Sequence, residues 1–126
     1  MSEVFPWIAV VDDDPAVLRA LSRLLRSHGY NVHTYGSAKE FLDALPDGHP
    51  TCLIVDLQMP AMGGQELQEQ LIQMGLNIPT IMITAHHDAT PNLANLRLAA
   101  LLLKPLQESA LLAAIDRAIN VPREDW

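Results

Sequence analysis

The sequence has few of the features that secreted or membrane-embedded proteins need. Its single cysteine, Cys52, excludes an intrachain disulfide and is compatible with a reducing compartment. No apolar run reaches the roughly 18 residues that a membrane-spanning helix requires. The first residues also lack the basic stretch and apolar core of a signal peptide. We therefore expect a cytoplasmic protein that has no membrane partner.

Basic residues are also few. The 126 residues include 8 Lys and Arg against 15 Asp and Glu, which gives a formal net charge of -7 at pH 7. Proteins that bind a phosphate backbone usually carry a basic surface, so we expect no direct nucleic-acid binding by this domain. Because the sequence contains no linker, repeat or low-complexity run, we expect residues 1–126 to form one domain, with 121–126 as a short tail.

Short apolar stretches alternate with helical patterns along the chain, which predicts an α/β fold with a parallel sheet. Strands are predicted over residues 7–11, 31–35, 51–56, 80–84 and 100–103. The first helix begins at Pro15, after the capping acid Asp14, and ends before Gly29. Further helices are predicted after Ser37, over 65–74, from near residue 91, and over 109–120.

Polar side chains stand at the carboxyl ends of four predicted strands. Asp12 and Asp13 follow the first strand, Asp56 ends the third, Thr84 ends the fourth and Lys104 follows the fifth. The carboxyl ends of parallel strands form the ligand crevice of such a sheet, so these side chains should meet at one edge. Carboxylates bind hard divalent cations, while a hydroxyl and an ammonium group complement a phosphoryl group. The pattern predicts a phosphate-handling site.

Asp56 is the most informative member of this group, because an acid that closes a fully apolar central strand has no role in the core. A carboxylate in this position could act as a nucleophile and form an aspartyl phosphate. Asp12 and Asp13 would complete a magnesium site with it. Taken singly, these two acids are more often turn or cap residues, Thr84 a strand residue, and Lys104 a solvated lysine. Their joint occurrence favours the functional interpretation.

Four segments together resemble the receiver domain of bacterial two-component response regulators, the CheY-like family. They are Val11-Asp12-Asp13-Asp14, residues 56–64 (DLQMPAMGG), residues 78–85 (IPTIMITA) and Lys104-Pro105. The segments 24–30 and 36–42 are similar to receivers of LuxR-type and nitrogen-fixation-type regulators. The resemblance implies a flavodoxin-like (βα)5 fold, a doubly wound parallel sheet with strand order 2-1-3-4-5.

The same resemblance implies a phosphoacceptor and a metal site. Asp56 would be the phosphoacceptor. Asp13, Asp56 and the backbone carbonyl of Gln58 would bind Mg²⁺ or Mn²⁺ directly, and Asp12 would bind it largely through water.

Thr84, Ala85 and Lys104 would contact the phosphoryl group and act in switching, and the small Ala85 would leave its approach open. The Lys104–Pro105 peptide would be cis. Leu101 departs from the family pattern, since receivers usually carry Phe or Tyr at that position as a rotamer switch.

The resemblance also implies partners and a limited chemistry. A sensor histidine kinase or a phosphotransfer protein would donate the phosphoryl group, and switching would alter partner binding through the region from Thr84 to Leu106. We expect no enzyme in the usual sense, only self-phosphorylation and slow dephosphorylation. This interpretation allows the output to be a downstream protein or a fused output domain, and it allows a phosphorylation-dependent dimer. The sequence leaves the kinase, the output and the pathway open.

Two other classes of function compete with this one. A phosphatase or phosphotransferase that turns over through an aspartyl phosphate commonly needs a second acid two residues after the nucleophile, and Gln58 stands there instead. A pseudo-receiver would bind its partner without phosphorylation. The site residues that are intact argue against such a loss of chemistry; they are Asp12, Asp13, Asp56, Thr84 and Lys104. Leu101 leaves a loss of conventional switching open.

Overall fold

A computed structural model, which describes residues 6–85 and 98–120, contains a five-stranded parallel sheet. Its strands are β1 (Trp7–Val11), β2 (Asn31–Tyr35), β3 (Cys52–Asp56), β4 (Thr80–Thr84) and β5 (Leu98–Leu103). They lie in the order β2-β1-β3-β4-β5, and each neighbouring pair is parallel. The predicted α/β fold and its strand order are confirmed.

Four α-helices connect or follow these strands within the described residues. They are α1 (Pro15–Ser27), α2 (Ala38–Ala44), α3 (Gly64–Gln73) and α4 (Glu108–Asn120), and a short 3-10 helix, Leu45–Asp47, extends α2. No helix in this part of the chain is long and apolar enough to cross a membrane. The helix predicted from near residue 91 lies outside the described residues.

Strand β5 differs most from its prediction, because it begins at Leu98 and not at Ala100. Its pairing with β4 continues through an irregularity, in which Thr80 pairs with Leu98 and Ile81 pairs with Ala100. A local bulge of this kind adds a residue without ending the ladder, and the apolar pattern alone does not reveal it.

The two faces of the sheet are covered by different helices, as in a doubly wound fold. Alternate strand residues point to opposite faces, which creates two hydrophobic clusters. The cluster beneath α1 and α4 includes Ile8, Val10, Ile54, Ile81, Ile83, Leu25 and Leu111. The cluster beneath α2 and α3 includes Ala9, Val11, Leu53, Val55, Met82, Phe41 and Leu67. Strand β3 is buried along its whole length, and Asp56 is its last residue.

Cys52 lies in β3 and is fully buried. Burial raises the pKa of its thiol to about 12, so the reactive thiolate does not form near neutral pH. The cysteine therefore acts as a small core residue.

Helix α1 begins directly behind the first pair of acids. The Asp14 side chain caps it by accepting a hydrogen bond from the Ala16 amide at 2.9 Å, and Pro15 occupies its first turn. Gly29 follows its end with a φ of 89°, a conformation that favours glycine. The Asp14 cap and the turn at Gly29 define the two ends of α1. The cap also holds the loop that carries Asp12 and Asp13.

Candidate metal and phosphoryl site

The register of the sheet brings the predicted site residues to one edge. Val11 pairs with Val55, and Asp56 pairs with Ile83, so the ends of β1, β3 and β4 lie side by side. Carboxylate oxygens of Asp12, Asp13 and Asp56 all lie within 4.8 Å of one another. The three acids that the sequence singles out thus form one cluster.

Asp12 is held rigidly at the end of β1. Its amide donates a hydrogen bond to the Tyr35 carbonyl at 3.1 Å, and its Oδ1 accepts one from the Asp14 amide at 2.9 Å. Asp12 is only 2% exposed, whereas the neighbouring Asp13 is exposed. The two acids therefore offer one fixed, buried carboxylate and one accessible carboxylate to the same site.

The second carboxylate oxygen of Asp12 is poorly satisfied. Among the described residues, this Oδ2 has no hydrogen-bond partner, and the Lys104 ammonium lies 3.6 Å away, in ion-pair contact but too far for a hydrogen bond. Burial raises the pKa of the Asp12 carboxyl; the Asp14 amide and the Lys104 charge offset this only in part. A buried oxygen with unmet charge is what a bound cation would satisfy.

The Asp56 carboxylate is buried, and each of its oxygens accepts a hydrogen bond. Its Oδ1 accepts a hydrogen bond from the Gln58 amide at 3.0 Å, and its Oδ2 accepts one from the Lys104 ammonium at 2.9 Å. Asp56 itself is 7% exposed. The structure shows this contact of the Gln58 N–H with Asp56; the metal-ligand role of the Gln58 carbonyl stays a prediction.

Lys104 links the fifth strand to the acids. Its amide donates to the Thr84 carbonyl at 2.8 Å, and its ammonium contacts both Asp56 and Asp12. Burial lowers the pKa of Lys104, but the hydrogen bond to Asp56 and the charges of Asp12 and Asp56 outweigh it and leave the pKa raised. Without a metal, this one ammonium offsets the negative charge of two buried carboxylates. The sequence does not indicate the contact between Lys104 and Asp12.

The remaining residues that the sequence predicts for the site lie at the ends of β4 and β5 or within β5. Thr84 is fully buried at the end of β4, while Ala85 beside it is exposed. The Lys104–Pro105 peptide is cis. Leu101 lies in β5 opposite Met82 and is 36% exposed. An aliphatic side chain therefore occupies the position where receivers usually carry an aromatic ring.

These donors fit a hard divalent cation. The cluster supplies oxygen atoms only, and one of them is buried without a hydrogen bond. Mg²⁺ and Mn²⁺ favour carboxylate, carbonyl and water oxygens, and Mg²⁺ needs only one or two carboxylates because it keeps several waters. Asp12, Asp13 and Asp56 are the residues that could hold such an ion.

Two glycines determine how the loop after Asp56 returns to the sheet, and the sequence does not reveal their role. The Gly64 amide donates to the Leu57 carbonyl at 3.0 Å. A Cβ atom on Gly64 would lie 2.7 Å from the Asp56 carbonyl oxygen and would also collide with the Met82 sulfur. On Gly63 it would lie 2.5 Å from the Leu57 carbonyl oxygen. The loop therefore approaches the backbone of Asp56 and Leu57 too closely for any side chain at these positions.

We expect Asp12→Asn to stabilise the metal-free protein. A carboxyl whose pKa is raised by folding favours the folded state below its unfolded pKa and loses that contribution as pH rises through the folded pKa. The ionised Asp12 therefore destabilises the fold at neutral pH, and asparagine removes the charge while keeping an Oδ1 for the Asp14 amide. We expect the free energy of unfolding at pH 7 to be higher in Asp12→Asn than in the parent protein.

Thermal unfolding in the presence of EDTA measures this gain. The exposed Glu69→Gln serves as the control, because it makes the same change in net charge away from the site. The advantage of Asp12→Asn should shrink as the pH is lowered toward the ordinary aspartate value of 3.8. An equal gain in Glu69→Gln would show that net charge, and not the buried site, is responsible.

Comparisons with known proteins agree with this site. The chain matches the model of the response regulator receiver domain family over residues 8–116. It is 39% identical over 123 residues to Response regulator protein TodT of Pseudomonas putida, which covers 96% of this chain and 54% of TodT. It is 34% identical over 113 residues to Transcriptional regulatory protein FixJ of Rhizobium meliloti, covering 88% of this chain and 55% of FixJ.

A solved structure of the response regulator StyR superposes with a TM-score of 0.87 at 41% identity, covering 97% of this chain and 63% of that one. The chain spans about half the length of the curated relatives it matches, at 54% of TodT and 55% of FixJ. The family match covers most of the chain and coincides with the acid cluster, the sheet order and the lysine at the end of β5. The chain therefore belongs to the family of response regulator receiver domains.

Proposed function

We propose that this receiver domain accepts a phosphoryl group on Asp56 and that Mg²⁺ or Mn²⁺ supports the transfer. The observation that carries the proposal is the contact set of the Asp56 carboxylate: the Gln58 amide on one oxygen, the Lys104 ammonium on the other, and two further acids within 4.8 Å. This arrangement orients a carboxylate and surrounds it with the groups that a phosphoryl transfer needs.

The proposed reaction is a displacement at phosphorus. A carboxylate oxygen of Asp56 forms a bond to the phosphorus of a donor phosphohistidine, the P–N bond breaks, and the released imidazole nitrogen takes up a proton from water. Each Asp56 oxygen accepts one hydrogen bond in the structure and keeps a second lone pair for attack. When bound at Asp12, Asp13 and Asp56, the metal ion would neutralise negative charge on the phosphoryl group.

Lys104 has a defined role in this proposal. Its ammonium is within 2.9 Å of the Asp56 oxygen and retains its proton, since its pKa is raised. A phosphoryl group on Asp56 would bring anionic oxygens to this ammonium, and Lys104 would exchange its contact with the carboxylate for one with the phosphoryl group. Thr84 would contact another phosphoryl oxygen, and the exposed Ala85 would leave the approach open.

We also propose partners for this domain. A sensor histidine kinase or a phosphotransfer protein would be the phosphoryl donor. FixJ is a transcriptional regulatory protein and has about twice the length that this chain matches, with 55% of it covered. We infer that the phosphorylation state of Asp56 controls an output of that kind, through a downstream protein or a fused domain.

A catalytic phosphatase is the weaker alternative. An enzyme that turns over its aspartyl phosphate commonly uses a second carboxylate two residues after the nucleophile. Gln58 occupies that position here, and its side chain is exposed. We therefore expect self-phosphorylation followed by slow dephosphorylation, without turnover of other substrates.

The proposal is tested by incubating the protein with acetyl phosphate and MgCl₂ and measuring its intact mass. We expect one phosphate-sized increment, which EDTA should prevent. An unmodified mass in a folded protein that demonstrably binds Mg²⁺ would contradict the proposal and would favour a pseudo-receiver that acts without phosphorylation.

Magnesium binding should depend more on Asp13 than on Asp12. The exposed Asp13 can reach an ion directly, whereas Asp12 is fixed by the Asp14 amide and would act largely through water. We expect Asp13→Ala to weaken Mg²⁺ binding about tenfold or more and Asp12→Ala to weaken it less. Isothermal calorimetry measures both, and equal affinity of Asp13→Ala and the parent protein would refute the assignment.

Switching should not depend on an aromatic rotamer, because Leu101 has neither a ring nor a hydroxyl. We propose that phosphorylation alters the region from Thr84 to Leu106 and its partner contacts while β1, β2 and β3 stay fixed. Amide hydrogen exchange with and without beryllofluoride, a phosphoryl mimic, tests this. The amides of β5 and of Lys104 should change protection. Unchanged exchange there, with beryllofluoride demonstrably bound, would favour the pseudo-receiver.

A further inference from the structure

A cavity lies between strands β1 and β2 of the sheet and the end of helix α2. Its volume is about 440 Å³, within the usual range for small-molecule sites. Sheet residues form its floor, and the end of α2 with the 3-10 turn forms its wall. The lining residues are Trp7, His33, Tyr35, Ala44, Asp47 and Gly48. None of the acids of the phosphoryl site lines this cavity.

The local sequence explains why this cavity exists. Residues 33 and 35 point to the α2 side of β2, and Trp7 in the neighbouring β1 points the same way. Helix α2 covers only part of that face, since it ends at Ala44 and continues as a 3-10 turn. Gly48, with a φ of 149°, then turns the chain away toward β3. Aromatic rings that a longer helix would cover are left to line a cleft.

The aromatic lining is out of proportion to the composition of the chain. The chain has only two tryptophans and two tyrosines, and one of each lines this cavity. The Trp7 and His33 rings pack edge to face with centroids 4.7 Å apart, and the Tyr35 ring packs edge to face on Phe41 at 5.4 Å. These ring pairs hold the aromatic walls in fixed orientations.

The charge of the cavity has one sign. Asp47 is the only carboxylate among its lining residues, and the described lining contains no lysine or arginine. Burial raises the pKa of the Tyr35 hydroxyl, and the negative charge of Asp47 raises it further. Aromatic faces and a carboxylate attract the same class of ligand, an organic cation.

The geometry points to a binding site for a small quaternary ammonium compound in the cavity of Trp7, His33, Tyr35 and Asp47. A primary ammonium group carries three N–H donors that each need an acceptor, whereas three of the six lining residues carry aromatic rings and one carries a carboxylate. A quaternary ammonium group has no N–H donor, spreads its charge over methyl groups, and gains both ring contacts and the attraction of one carboxylate. This site is separate from the phosphoryl site and does not depend on phosphorylation.

Choline is the probe for this site, and its neutral isostere 3,3-dimethylbutan-1-ol is the matched control ligand. In a Trp126→Phe background Trp7 is the only tryptophan, so its fluorescence reports on the cavity. Titrations at about pH 8 and constant ionic strength, maintained with NaCl, should show a saturable response to choline in the millimolar range. The neutral isostere should bind about three- to tenfold more weakly.

Variants identify the acid responsible. Asp47→Asn should weaken choline binding by a similar factor, whereas Asp43→Asn, an exposed acid one turn earlier that pairs with Lys39 at 3.1 Å, should leave it unchanged. Shifts of the Tyr35 ring protons by NMR provide a second measurement of the same binding. Binding should persist in Asp56→Asn, which separates this site from the phosphoryl site. No saturable response, equal affinities for choline and its isostere, or an unaffected Asp47→Asn would overturn the inference.

Discussion

Replacing Asp56 with asparagine should abolish phosphate incorporation from acetyl phosphate. Asparagine has nearly the same shape and can still accept the hydrogen bond from the Gln58 amide at its Oδ1. It lacks the anionic oxygen that forms the bond to phosphorus, so incorporation should fall by at least about two orders of magnitude. Intact mass after incubation with acetyl phosphate and MgCl₂ measures the loss.

Two controls isolate the cause of this loss. Asp116→Asn replaces an exposed acid on α4 by the same chemistry and should be phosphorylated like the parent protein. Thermal unfolding of Asp56→Asn checks that the fold survives the loss of the Lys104–Asp56 contact. A folded Asp56→Asn protein that still gained a full phosphate increment would place the acceptor elsewhere.

Replacing Gly64 with alanine should destabilise the protein more than the same substitution at Gly75. The added Cβ would lie 2.7 Å from the Asp56 carbonyl oxygen and against the Met82 sulfur, so either the α3 start or the β3 end must move. Overpacking of a closed core typically costs 1–3 kcal/mol, and we expect about 2–3 kcal/mol in the free energy of unfolding. Urea denaturation measures this cost.

Gly75→Ala is the matched comparison for this prediction. Gly75 has a φ of 78°, but a Cβ there would meet nothing within 4 Å, so only backbone strain opposes the substitution. That strain costs about 1 kcal/mol. Because displacement of the Asp56 backbone would also move its carboxylate, Gly64→Ala should slow phosphorylation as well, while Gly75→Ala should not. A smaller destabilisation by Gly64→Ala than by Gly75→Ala would contradict the close approach that the structure shows.

The sequence predicts the sheet well because each strand is a short apolar run that ends abruptly in a polar residue. The same rule places Asp12, Asp56 and Lys104 at one edge, since parallel strands share their carboxyl ends. The start of β5 is predicted less well, because the irregularity that lets Leu98 pair with Thr80 leaves no trace in the apolar pattern. Helix starts shift by a single residue, as at Gly64 and Glu108.

The sequence predicts which residues form the site better than it predicts the contacts between them. The hydrogen bond from the Asp14 amide to the Asp12 side chain is predictable, because an aspartate in a turn commonly accepts a hydrogen bond from the amide two residues later. The bridge from Lys104 to both acids depends on where the end of β5 places its long side chain, which is a tertiary property that the sequence pattern does not give. The closeness of Gly64 to the Asp56 backbone depends in the same way on the tertiary path of a loop.

The central claim is that the phosphoryl group resides on the Asp56 carboxylate, and reductive trapping tests it most directly. Borohydride reduces an acyl phosphate of aspartate to homoserine and leaves free carboxylates unchanged. The protein would be phosphorylated with acetyl phosphate and MgCl₂, reduced, digested and sequenced by tandem mass spectrometry. We predict homoserine at position 56 alone, and none when EDTA replaces Mg²⁺. Homoserine at Asp12, Asp13 or any other aspartate, with Asp56 unmodified, would contradict the assignment.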